Sequence, residues 1–520
     1  MLGIRSVQPY TNTNHASNKN VPPKAKGKKG LVDIISAGTR QIWNKKVPGT
    51  QMEKLQNIIQ DKYGVKFENY WDFHEWSIKN YSQFWEEIWN FYEVVCSKPY
   101  DQPSRRTGDR VIDVEWFPGA RLNYAENILR YRDDGVALIC VGILKMGFYC
   151  LIHFDLLISR HDLYKLKGEN KSFDSQPTHM VGWNLWNLYV GNLMLGSSLL
   201  LYDGLPCFLS KHAFWDVMDK YKVTFAFIVT SIIDTFEKED IVPAPDCKLE
   251  HLKLISIGAS PVKLQNVDFI LQKVKPDVFV GCLYGATEVI GVFSGFDYNS
   301  PVYSSEIQCP ALGVDIRIFD DEGNSIVGKS GELVIATPTP SFPVSVWNDE
   351  DGSKMQDTYL SKFPNVWAQS DEAWIDPKTR GMIIIGRSDN TIKQHGERFV
   401  SEEIYWAIHD VEEIADSICV AQSNGSGDGR AVLFVKMKNG HVLDKDMTFK
   451  IEEKILKELT IFYIPKVILQ VKDIPYNLNG KRMESVVKKI VNTNVIPEVS
   501  NIRNPECLRQ YWNIPQLQDF

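Results

Sequence analysis

Leu252-Lys253-Leu254-Ile255-Ser256-Ile257-Gly258-Ala259-Ser260-Pro261 and Val278-Phe279-Val280-Gly281-Cys282-Leu283-Tyr284-Gly285-Ala286-Thr287-Glu288 share one design: a short apolar run that breaks into a turn containing glycine. Two more such runs lie upstream, Leu199 to Tyr202 and Phe225 to Val229, with helical segments between them. Strands alternating with helices predict an α/β fold with largely parallel sheets. Ligands of such sheets collect outside the carboxyl ends of the strands, where both quoted turns stand.

Moving outward, the character changes. After Cys309 come Val314 to Phe319, a turn at Asp321-Glu322-Gly323-Asn324, and Gly331 to Ala336, a pattern of hairpins that predicts antiparallel sheet. From Asp389 onward, helices (Glu403 to Ile408, Phe449 to Leu459) alternate with strands (Ala431 to Met437, Lys466 to Gln470), which predicts a small domain able to fold alone. Towards the amino terminus, Tyr81, Phe84, Trp85, Ile88 and Trp89 recur at helical spacing between Asn80 and Phe91, with Glu86 and Glu87 expected on the opposite, solvated side. Trp116 to Asn127 reads as a turn followed by a helix start.

Composition narrows the function classes. The 520 residues carry 58 basic and 65 acidic side chains, a net charge of -7 without long single-sign blocks, which argues against a nucleic-acid partner. The nine cysteines are scattered singly, as expected of a protein kept in the reducing cytosol. No apolar run reaches the roughly 20 residues of a membrane span. Met1 to Gly30 is basic, lacks acids and contains Pro9, Pro22 and Pro23; it suits a disordered tail better than an arginine-rich targeting helix.

Gly323 to Ser330 matches a Walker phosphate loop in formal spacing, but it lies between predicted hairpin strands instead of opening a helix, so it is discounted. Zinc and serine hydrolase motifs are absent from the sequence. Thr287-Glu288 offers a hydroxyl for a phosphate oxygen and a carboxylate for Mg²⁺; capping a helix is the competing reading of the pair. Further motifs follow in order: Asp371, Gly386-Arg387-Ser388-Asp389, Gly396-Glu397-Arg398, Ser401-Glu402-Glu403, and Asn479-Gly480-Lys481.

This ordered series resembles the adenylate-forming superfamily of acyl-CoA synthetases. Tyr81 to Trp85, Trp116 to Asn127, Gly182 to Asn187, Leu201 to Gly204, Gly386 to Asp389 and the terminal Ile514 to Phe520 are similar to the acetoacetyl-CoA synthetase family within it. The resemblance implies an α/β adenylate-forming fold with a large N-terminal domain of parallel sheets plus a β-rich part, and a small α+β C-terminal lid. It also implies an acid–thiol ligase working on acetoacetate, ATP, Mg²⁺ and coenzyme A. Carried over, Gly258, Ser260 and Pro261 would line the adenine pocket and Tyr284 would flank the base or the acyl group. Thr287 would contact the α-phosphate, Glu288 would hold the metal, and Asp371 would take the ribose hydroxyls with Arg387 close by. Lys481 would be the adenylation lysine and Asp389 the hinge. Arg398 would belong to the cofactor-binding set and Gly396 would border the pantetheine channel.

Two departures stand out. The ribose motif, usually Thr-Gly-Asp or His-Gly-Asp, is Gln369-Ser370-Asp371 here, and the glycine-rich loop that clamps the β- and γ-phosphates is missing. A segment unlike the family, Gly142 to His179, stands where that loop and much of the main sheet belong. The expected organisation is a tail at 1–35, an N-terminal region at 36–140, the atypical segment at 141–180, the rest of the large domain at 181–388, the small domain at 389–496 and a tail at 497–520. The lost strands are expected to leave apolar sheet faces uncovered. Three functions follow as expectations: a ligase of this family impaired by the loss, a non-catalytic protein that keeps a nucleotide or CoA surface, and a ligase for another short acid.

Overall fold

In the computed structural model, the residues described are 38–131, 137–142, 173–176, 183, 185–203, 210–304, 306–394, 397–423, 429–478, 480–518 and 520. The basic tail and most of the atypical segment therefore lie outside the described residues, as do the placements of Gly396 and of the Arg398 side chain.

After a short strand at Gln41–Trp43 come three helices, α1 (Gln51–Tyr63), α2 (Tyr70–Lys79) and α3 (Tyr81–Phe91). Thr50 caps α1 by accepting from the Glu53 amide at 3.1 Å, and the helix ends at Gly64 in the left-handed conformation that glycine tolerates. Phe67, Phe73 and Phe84 fill the space among the three helices. One sequence expectation fails here: Glu87 does not face solvent. It is 3 % exposed and accepts from Lys62 Nζ at 2.6 Å and Tyr63 Oη at 2.9 Å, which tie α3 to the end of α1. A cationic partner across the helix pair makes an inward carboxylate tolerable, and helical periodicity alone does not register such a partner.

The central sheet contains β1 (Leu138–Gly142), β2 (Phe173–Gln176), β3 (Ser198–Asp203), β4 (Phe225–Val229), β5 (Leu254–Gly258) and β6 (Phe279–Cys282), in the spatial order β1-β3-β2-β4-β5-β6 with every pairing parallel. Helices α4 (Ala213–Lys220) and α5 (Thr230–Lys238) cover one face. Alternation along β4 and β5 sends Ala226, Ile228, Ile255 and Ile257 into that side, together with Trp215 and Phe236. Phe227 and Leu199 point the other way, towards Leu188 and Tyr189.

The turn after β6 leads into a tight hairpin, β7 (Gly285–Ala286) and β8 (Gly291–Val292). A five-stranded antiparallel sheet follows: β9 (Ile316–Phe319), β10 (Ser325–Ile326), β11 (Gly331–Ile335), β12 (Trp367–Ile375) and β13 (Met382–Arg387), ordered β10-β9-β11-β12-β13. The Walker-like stretch spans β10 and its flanking turns and opens no helix, as its context predicted.

After a single turn of 3₁₀-helix at Ser388–Asn390, the last part is built on β14 (Ile414–Ser423), β15 (Gly429–Met437) and β16 (Val467–Gln470), in that order across the sheet. Helices α6 (Ser401–Ile408) and α7 (Lys445–Glu458) lie on one face and α8 (Glu484–Thr493) on the other. Residues 497 to 520 are not a loose tail. Cys507, Leu508, Tyr511 and Leu517 are buried in the core beneath α8, and Tyr511 Oη donates to the Asp473 carbonyl at 2.9 Å. The expected boundary at 496 fell short because single apolar residues among polar ones leave no periodic pattern. Among the described residues, no helix is long and apolar enough to cross a membrane, and the six cysteines whose side chains are described are free thiols.

Candidate active site

β5 ends in a bend that the sequence singled out. Gly258 is buried, and a Cβ there would stand 3.0 Å from the Leu283 carbonyl oxygen, so the position takes a side chain only if β6 gives way. Ala259 follows with φ 72°. Thr230, at the start of α5, holds the bend by donating its hydroxyl to the carbonyls of Gly258 and Ser260, both at 3.1 Å. Ala259 and Ser260 are exposed at the carboxyl end of the sheet and Pro261 is half-buried. Thr230 escaped sequence reasoning, although a threonine straight after the strand Phe225–Val229 is a detectable signal.

Tyr284, two residues past the end of β6, links the parallel sheet to the antiparallel one. Its hydroxyl donates to Asp371 Oδ2 at 2.7 Å. Gln369 Nε2 donates to the same oxygen at 3.0 Å and to Tyr284 Oη at 2.8 Å. The Gln369 side chain is fixed in turn by Trp367 Nε1, which donates to its Oε1 at 3.2 Å. Gln369 was noticed in the sequence only as a departure; its hydrogen bonds make it part of the site.

Backbone geometry explains how β12 delivers these groups. Val334 pairs with Ala368 and Glu332 with Glu372, so a short step on β11 faces a longer one on β12 and the strand bulges at Gln369, Ser370 and Asp371. Ser370 sits at φ 61°, in the left-handed region. A non-glycine residue there costs about 1–2 kcal/mol. The Cβ expected to disturb this position is therefore present, and the chain keeps the glycine-like conformation around it.

Arg387, at the end of β13, donates from Nη1 to the Gln369 carbonyl at 2.7 Å and stands 3.6 Å from Asp371 Oδ1. Its Nη2 and Nε donate to Asp389 at 2.7 and 3.2 Å. Burial raises the Asp371 carboxyl above the ordinary range, against the opposing hydrogen bonds from Tyr284 and Gln369 and the charge of Arg387. Burial also raises the Tyr284 phenol, and the Asp371 charge adds to it, so Tyr284 stays a donor.

Thr287 and Glu288 do not cap a helix. They lie exposed in the turn joining β7 to β8, at the edge of this cluster. The Gly285–Gly291 crossing leaves no room for a Cβ at Gly285. Tyr359, whose ring stacks on buried Trp367 at 4.1 Å and 7°, is pushed up to about 12 by burial and by the Glu288 charge. Among the described residues no group of three or more acids, histidines and cysteines is assembled for a metal. A lone Glu288 still suits Mg²⁺, which takes one or two carboxylates and otherwise phosphate oxygens and water.

Lys481 is exposed on a separate turn, closed by the Asn477 amide donating to the Lys481 carbonyl at 2.9 Å, and its side chain enters none of the ion pairs among the described residues. Asp389 lies where the two parts of the chain meet. Its carbonyl accepts from Lys488 Nζ of α8 at 2.6 Å. Gly386 abuts the Glu402 carboxylate of α6, which a Cβ at 386 would have to push aside. The structure thus brings Tyr284, Asp371 and Arg387 together, links Arg387 to Asp389, and leaves Lys481 outside that network.

Residues 176–341 match the family model described as AMP-binding enzyme, and residues 70–128 the one described as acetyl-coenzyme A synthetase N-terminus. The chain is 28 % identical to the acetoacetyl-CoA synthetase of Gallus gallus, over 91 % of this chain and 97 % of that protein, and 29 % identical to that of Mus musculus over 91 % and 96 %. The fold is similar to that of the acetoacetyl-CoA synthetase from Streptomyces lividans, with a TM-score of 0.78 and 21 % identity over 91 % of this chain and 99 % of that one. The alignment with the Gallus gallus protein runs over 647 positions, more than the 520 residues of this chain, so that relative fills many positions that are empty here.

Proposed function

We propose, from the premise that this chain belongs to the AMP-binding, adenylate-forming acyl-CoA ligases, that its line of descent joins acetoacetate to coenzyme A at the expense of ATP, in the cytosol. The observation that carries this reading is the Tyr284–Asp371–Arg387 cluster at the carboxyl end of a parallel sheet, in a chain that aligns with acetoacetyl-CoA synthetases over 91 % of its length. In the first step a carboxylate oxygen of the acid attacks the α-phosphorus and pyrophosphate leaves. In the second, the CoA thiol attacks the acyl carbon and AMP leaves with the bonding electrons.

In this reading Gly258, Ser260 and Pro261 form the wall for the adenine, and Asp371 takes the ribose. Thr287 and Glu288 face the α-phosphate and its Mg²⁺. Lys481 balances charge between the acid and the phosphate once the C-terminal part turns about Asp389, a rigid-body motion of a common kind. Gly396 and Arg398 serve the CoA and cofactor side.

We further propose that the polypeptide itself adenylates poorly. A transition state that expels pyrophosphate gathers negative charge on the β-phosphate, and no glycine-rich cradle in the sequence stands ready to meet it. Acetoacetate-dependent exchange of labelled pyrophosphate into ATP is expected at least about 10²-fold below that of an intact relative. Exchange at the relative's rate, abolished by Lys481→Ala, would overturn this part. The shortfall of aligned positions favours a second reading, a non-catalytic binder of nucleotide or CoA, which calorimetric titration with AMP and with CoA supports if either gives heat and removes if neither does.

A further inference from the structure

We infer that Asp371 presents a single oxygen to its ligand, so that this site tells apart the two hydroxyls of a ribose, and that Gln369 is the positioning residue responsible. The inference rests on the nucleotide reading above and concerns how the sugar is held.

A carboxylate facing a vicinal diol ordinarily offers one oxygen to each hydroxyl, because the two oxygens are spaced like the two donors. Here one of them is already occupied. Asp371 Oδ2 accepts from Tyr284 Oη at 2.7 Å and from Gln369 Nε2 at 3.0 Å, which uses both of its lone-pair directions. Neither donor is free to swing away. Tyr284 is 8 % exposed, and its Oη is itself bound by Gln369 at 2.8 Å. Gln369 is also 8 % exposed and is anchored at its other end by Trp367 Nε1.

Oδ1 differs. Among the described residues it accepts no hydrogen bond, and its nearest cation, Arg387 Nη1, is 3.6 Å away and committed to the Gln369 carbonyl. The Asp371 side chain is 13 % exposed, enough for one small donor to reach it. The Ser370 bulge holds this arrangement by setting Gln369 and Asp371 side by side on one strand. A Thr or His in place of Gln369 lacks the length and paired functions of the amide that here bonds the phenol and the carboxylate together.

One ribose hydroxyl therefore donates to Oδ1, and the other gains nothing from Asp371. Titration of the full-length chain with AMP, 2′-deoxy-AMP and 3′-deoxy-AMP tests this. One deoxy analogue is expected to bind about tenfold or more weakly than AMP, as for loss of a hydrogen bond to a charged group, and the other within about threefold of AMP. In Gln369→Ala, Oδ2 opens on one side and both hydroxyls find an acceptor, so both analogues should then bind more weakly than AMP. Equal losses for the two analogues in the unaltered chain, or no loss for either, would overturn the inference while leaving the nucleotide reading standing. Failure of AMP itself to bind would overturn both. Because the comparison of analogues is made on the unaltered protein, it does not depend on whether the variant folds.

Discussion

The two main β-sheets of this protein use the same alternation of side chains with different results. In the C-terminal part, β14 and β15 send Cys419, Ala421, Leu433 and Val435 to one face and Ile418, Val420, Val432 and Phe434 to the other, and helices with buried apolar side chains meet both sets. In the central sheet, one face is filled by α4, α5 and their neighbours, whereas the described core of the opposite face is Leu188, Tyr189, Leu199 and Phe227. Among the described residues, Leu138, Trp186 and Leu195 are 45 %, 43 % and 47 % exposed, and Tyr124 packs on Trp186 at 5.7 Å while itself half open to solvent. A parallel sheet is stable when both faces are covered.

Three measurements bear on that contrast. The largest effect concerns autonomy: residues 389–520 are expected to melt cooperatively as an isolated polypeptide, whereas a version ending at 496 is not. Removing Cys507, Leu508, Tyr511 and Leu517 strips several buried side chains, each worth about 2–5 kcal/mol, from a unit whose total stability is on the order of 5–15 kcal/mol. A sharp transition from the shorter version, followed by circular dichroism, would show the last turns to be dispensable.

Next in size is a pair of truncations. Phe434→Ala, in the C-terminal sheet, and Phe227→Ala, equally buried on the face lined by Leu188, Tyr189 and Leu199, are each expected to destabilise their transitions by about 3–5 kcal/mol. A markedly smaller cost for Phe227→Ala in denaturant titrations would mean that its face of the central sheet is packed less well than the C-terminal sheet.

The smallest effect lies at the joint between the two parts. Glu402 is pushed up to about 8 by burial and by the facing Glu484, against Arg482, and its Oε2 has no hydrogen-bond partner. A carboxyl whose folded value is raised holds its proton more tightly in the folded state, so its contribution is complete below about 4.5 and is lost as the pH climbs towards about 8. Stability should therefore fall across that window. Glu402→Gln should flatten the profile, and an unchanged slope in the variant would assign the pH dependence elsewhere.

Much of this was readable from the chain. The strands Phe225–Val229 and Leu254–Gly258, the hairpins after Cys309 and the helices after Asp389 follow from apolar runs and periodicity that local propensity does not contradict. Of the candidate site, Tyr284, Asp371 and Arg387 were marked by their motifs and do meet. The parts that escaped depend on contacts between distant segments: Glu87 turned inward towards Lys62, Gln369 bonded to Tyr284, Thr230 under the Gly258 bend, and the final residues packed beneath α8.

By itself the sequence determined element types and their order, since these are set by side-chain polarity at spacings of a few residues. Only the tertiary structure decided which oxygen of Asp371 is left open. A hydrogen bond between residues as far apart as Tyr284 and Asp371 depends on the register of two different sheets, and a bulge at Ser370 resets that register without leaving any periodic mark on the chain.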